Sequence, residues 1–149
     1  MPKRADPRQI AKLVQVQHAR HAAADAALVE GRDAEVSARE ARDAAQAAAM
    51  AAADDWSDFL SRPGFAPEYA RGLAARLIAR EAAAGDAGAR LTLAERAHAQ
   101  RQDGWRLSEA LVKLADASLT RARRATARAH EEKRLGALSD RITFDWLRS

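Results

Sequence analysis

Four histidines and 21 acidic residues carry most of the reactive chemistry in this chain of 149 residues, which contains no cysteine. His18 and His21 stand three residues apart, on one face of a helix. A hairpin whose tip is flanked by Ser61 and Gly88 would bring His130 opposite His18. Three imidazoles converging from two helices make a zinc-type donor set. No thiolate completes it, however, and polar residues in a partly hydrated helix seam satisfy the same spacing. No bound metal and no cofactor is therefore expected. The carboxylates sit among arginines at helical spacing, which favours solvated i,i+4 pairs over acid/base work. No glycine-rich phosphate loop and no Gly-x-Ser-x-Gly elbow is present. No catalytic residue is expected, and the chain does not read as an enzyme.

The basic stretches are the next candidates. Residues 1–20 carry Lys3, Arg4, Arg8, Lys12 and Arg20 against Asp6 alone, and residues 121–134 carry five arginines and a lysine... against Glu131 and Glu132. Such a run is first of all a solvated helix face; as a contact surface it can meet nucleic-acid phosphates or an acidic protein. Without an interleaved aromatic for base stacking, nucleic acid is the weaker of the two. Between Asp25 and Asp58 the balance reverses, with nine acidic residues against three arginines.

These residues must be positioned by helices. Forty of the 149 residues are alanine, the strongest helix former but one that buries little area. Ser61-Arg62-Pro63-Gly64-Phe65-Ala66-Pro67 is the firm interruption, because each proline fixes its own φ and pushes the preceding residue out of the α region. Asp6-Pro7 places an N-capping carboxylate before a proline at the first helical position. The expected fold is all-α: a long antiparallel two-helix coiled-coil hairpin with a short helical segment at its tip. As a single elongated domain it divides into a long helix 8–61, a corner and short tip helix 62–85, a long helix 87–141 and an apolar tail 142–149. Gly85 is expected to end the tip helix, and Asp86 or Thr92, the latter in a Thr92-x-x-Glu95 capping box, to start the next.

With Ser61 and Gly88 flanking the tip, Trp105 would lie beside Ala44, Ala45 and Ala48, and Ile10 would meet Leu138. Trp56, Phe59, Phe65 and Tyr69 gather at the tip, as its own core or as a partner-binding patch. Phe144 and Trp146 in the tail either fold back on Ile10 and Leu13 or enter a partner. No stretch approaches the ~18 apolar residues of a membrane span, and Met1-Pro2-Lys3-Arg4 is not followed by a signal-like apolar region. A cytoplasmic protein is expected.

Two long antiparallel helices with both termini at one basic end, and the run Arg121-Ala-Arg-Arg-Ala-Thr-Ala-Arg-Ala-His-Glu-Glu-Lys-Arg134, resemble the FliJ/YscO family. That family forms the central stalk of the flagellar and type III export ATPase. The resemblance implies a non-catalytic protein that enters a hexameric export ATPase ring, promotes ring assembly and couples it to the export gate. Export chaperones are further implied partners, and the location is peripheral to the inner membrane. The implied ring contacts are Lys3, Arg4, Arg8, Lys12, Arg121, Arg123, Arg124 and Arg128, with Phe144 and Trp146 added. A coiled-coil scaffold without an ATPase partner fits the same pattern, and a basic helical nucleic-acid binder is the third reading.

Overall fold

The computed structural model describes residues 6–148 and contains two helices, α1 (Pro7–Ser61) and α2 (Pro67–Arg148), with no strand among the described residues. The helices pack against each other as an all-α hairpin. Asp6 caps α1: its Oδ1 accepts the Arg8 N–H at 2.9 Å, and its carbonyl accepts from Gln9 and Ile10. At the far end the Arg62 N–H reaches the Phe59 carbonyl at 3.3 Å, a tightened last turn. Pro63 then removes a donor and Gly64 turns the chain at φ 98°, the one positive φ among the described residues. Only glycine adopts that conformation without strain. Pro67 starts α2 with Glu68 in its first turn, where a carboxylate complements the helix dipole.

The chain divides into two units, each fed by both helices. In the unit spanning Asp25–Gly104, Phe59 packs with Ala70 and Leu73, and Trp56 lies against them. The Phe59 ring meets Tyr69 edge-on at 5.5 Å and Phe65 at 6.3 Å. Ala52, Ala87 and Leu91 are also buried there. So is Gly31, where a Cβ would come within 2.8 Å of Arg101 Cδ and 3.6 Å of His98 Cα. This is a close approach of the two helices that a side chain would crowd. In the other unit, residues up to Ala24 with Trp105 onward, Val14 is buried and the Trp105 ring lies tilted against His21 with centroids 5.5 Å apart.

Two expectations are corrected. The tip helix does not end at Gly85, and no new helix starts at Asp86 or Thr92: α2 is continuous from Pro67 through Arg148, so the stretch 142–148 is helix as well. Glycine stops a helix when it turns left-handed just past the end, and Gly85 and Gly88 do not. Each costs about 1 kcal/mol relative to alanine, which a helix of 82 residues absorbs. Thr92 caps nothing, since its Oγ1 bonds back to the Gly88 carbonyl at 3.2 Å.

The register moves with it. Because residues 67–85 belong to the arm rather than to a cap, all of α2 is drawn along α1. Trp105 therefore faces His21 rather than the Ala44–Ala48 stretch. Ile10 shares a groove with Ala122, Ala125 and Ala129 rather than meeting Leu138. The tail does not fold back on Ile10 and Leu13.

Candidate functional site

The corrected register separates the histidines. His18 Nε2 donates to Asp116 Oδ1 at 3.2 Å. His21 Nδ1 lies 2.8 Å from Ser108 Oγ, and Ser108 Oγ donates to the Trp105 carbonyl at 2.7 Å. A hydroxyl has one proton to give, so His21 must be the donor in that pair. His130 instead lines the groove beside Ile10, and the three-histidine convergence does not form. Among the described residues no three His, Asp or Glu side chains are placed to hold a metal ion.

A fourth histidine, which the sequence reading did not single out, takes part in the best-connected polar cluster. His98 Nδ1 donates to Glu35 Oε2 at 2.6 Å, Arg39 donates to Glu35 Oε1 at 2.6 Å, and Arg39 also reaches Glu95 at 3.4 Å. The His98 hydrogen bond, helped by the Arg39 charge, holds the Glu35 carboxyl below the ordinary glutamate range against the opposing effect of desolvation. Arg101 Nη1 donates to the Ala27 carbonyl at 3.4 Å, one α1 turn before Gly31. With their partners inside the hairpin, these groups read as interhelical fastening rather than as an acid/base pair awaiting a substrate.

The accessible chemistry lies at the other unit. Arg8 and Lys12 on α1 and Arg121, Arg123, Arg124 and Arg128 on α2 are all exposed and belong to that one unit. Lys3 and Arg4 lie outside the described residues. A groove of about 530 Å³ runs over Ala122, Ala125 and Ala129, with Ile10 on one wall and Arg121, His130 and Lys133 around it. Every residue from His130 to Arg148 is exposed. Helical spacing places Arg121, Arg124 and Arg128 on one face, continued by Leu135, Leu138, Ile142 and Trp146. Leu135 is 66% exposed, Ile142 69% and Trp146 80%. Phe144 is exposed on the opposite face.

This stripe was only partly visible in the sequence. Leu135 and Leu138 looked like the end of the hairpin seam, and the signal that separates them is register. At the tip, Trp56 and Phe59 serve as core, while Phe65 at 74% and Tyr69 at 58% exposure touch Phe59 and leave most of their area open. The tip quartet thus divides between packing and surface.

No helix among the described residues is long and apolar enough to cross a membrane. Compared with protein-family models, characterised proteins and solved structures, the chain matches none.

Proposed function

We propose that this chain is a non-catalytic helical stalk that docks by the uncovered end of α2, and that its partner is the hexameric ATPase ring of a flagellar or type III export apparatus. The observation that carries the reading is the exposed stripe on α2, three arginines followed by four large apolar side chains. A folded hairpin leaves such area open to water at a cost of roughly 25 cal/mol per Å², which a partner removes. Arg8, Lys12, Arg121, Arg123, Arg124 and Arg128 supply long-range attraction to acidic loops of a ring, and Trp146 with its neighbours supplies contact area. An asymmetric shaft of this kind favours one subunit state over another through differential contacts. Coupling to the export gate belongs to the same proposal, with Phe65 and Tyr69 of the exposed tip as its contact.

The test is the ATP hydrolysis rate of the export ATPase with and without the full chain, together with sedimentation of the mixture. Stimulation with ring formation at one chain per hexamer is the expected result, lost when Arg121, Arg124 and Arg128 are changed together to glutamate. An unchanged rate and no co-sedimentation would sink the stalk reading and leave a scaffold without an ATPase.

A further inference from the structure

The two units of the hairpin are held with unequal strength. In the Asp25–Gly104 unit seven residues are buried, the large side chains Phe59, Leu73 and Leu91 among them. In the other unit Val14 alone is buried among the described residues. The sequence accounts for the difference. Near the corner the Phe59 ring meets Trp56, Phe65 and Tyr69, with centroids 5.9, 6.3 and 5.5 Å away. In the terminal unit the seam of α1 runs Ile10, Val14, Gln17, His21 and Ala24, at spacings of four, three, four and three. Two of these five are polar, and opposite them Trp105, Ser108, Val112 and Leu119 are covered only in part.

The polar links divide in the same way. The Glu35–His98 bond of the Asp25–Gly104 unit joins side chains that are 19% and 24% exposed, sheltered enough to hold the helices together. In the terminal unit the His18–Asp116 pair is 54% and 50% exposed, where solvent screens it. Among the described residues the two helices are the whole fold, so no third element spans the pair. Each turn of one helix packs on the turns opposite, and contacts of this nearest-neighbour kind let one stretch open while another stays closed.

We infer that the terminal unit of the hairpin is a clasp: α1 up to Ala24 and α2 from Trp105 through Ala129 part as one cooperative step, while the Asp25–Gly104 unit stays closed. Opening bares the inner faces of both arms, with Ile10, Val14, Val112 and Leu119, and the closed unit keeps the arms tethered. The inference goes beyond the stalk reading and does not rest on it, and its test contains no ATPase.

Amide hydrogen exchange of the full chain is followed at rising urea concentrations below the unfolding transition. Amides of Val14–Ala24 and of Ser108–Ala122 are expected to share one urea-dependent opening. They are expected to exchange about tenfold or more faster than those of Trp56–Phe59 and Leu73–Leu91. Val14→Ala is expected to speed exchange by about tenfold on both arms of the clasp, α2 included, and to leave Leu73–Leu91 unchanged. One opening common to both units overturns the inference, because the hairpin then unfolds as a whole. Exchange in Val14–Ala24 that does not respond to urea overturns it as well, since that is fraying residue by residue. So do faster exchange in Leu73–Leu91 than in the terminal unit and a Val14→Ala effect confined to α1. The unsubstituted chain decides the first three of these outcomes, whether or not the variant folds.

Discussion

Gly31 offers the sharpest test of the hairpin register, because it can be compared with glycines that face open space. In a helix interior, glycine to alanine stabilises by about 1 kcal/mol through the reduced freedom of the unfolded chain. A Cβ at Gly85 or Gly88 meets nothing within 4 Å, so Gly88→Ala is expected to deliver that full gain. At a domain of this size the gain raises the melting midpoint by about 2–4 °C. At Gly31 the new Cβ would stand 2.8 Å from Arg101 Cδ and 3.1 Å from Arg101 Nη1. The Arg101 side chain has to move, giving up its bond to the Ala27 carbonyl. A net hydrogen bond contributes about 1 kcal/mol, so Gly31→Ala is expected to come out near zero. In an Arg101→Ala background that obstacle is gone, and Gly31→Ala should recover about 1 kcal/mol. Gly31→Leu should cost about 1–3 kcal/mol in either background, because the His98 backbone at 3.6 Å cannot step aside as a side chain can. All three glycines lie in the Asp25–Gly104 unit, so urea unfolding followed by circular dichroism compares them within one packing environment. If Gly31→Ala stabilises as much as Gly88→Ala while Arg101 is present, the close approach is wrong, and the register with it.

Two further outcomes rest on particular contacts. The Glu35 carboxyl is held below its ordinary value of 4.5 in the folded chain, so its contribution is present above that value and fades as pH falls through the lower folded pKa. Glu35→Gln should therefore flatten the acid side of the stability profile, seen in midpoints measured from pH 6 downward, and an unchanged acid slope would refute the Glu35–His98 fastening. Phe59→Ala should destabilise by about 3 kcal/mol or more, since it removes a ring that is 8% exposed and touches Phe65 and Tyr69. Phe65→Ala, at a position 74% exposed, should cost well under half as much in the same denaturation experiment.

The interhelical fastening was hidden for a physical reason. Glu35, His98, Arg39 and Glu95 are ordinary surface residue types at ordinary helical spacing, and only their juxtaposition across the hairpin makes them a cluster. The groove beside Ile10 was hidden in the same way, because its alanines look like those of any helix here. The basic stretch at 121–134 needed no fold to be noticed. Its continuation into the Leu135–Trp146 seam did, since a seam already covered by α1 and a seam left open have the same sequence pattern.

Local chemistry decided the elements. Alanine content, the Asp6-Pro7 start and the two prolines about Gly64 dictate helices and a corner between them, because capping, missing donors and a positive φ act over a few residues. Whether α2 passes through Gly85 and Gly88 was not local, since a penalty of about 1 kcal/mol per glycine is small against the packing of a whole arm. That continuity set the pairing of the two helices, and the pairing set which residues of α2 are covered. Tertiary structure alone therefore decided that His18, His21 and His130 separate, that Gly31 meets Arg101, and that Glu131–Arg148 is exposed.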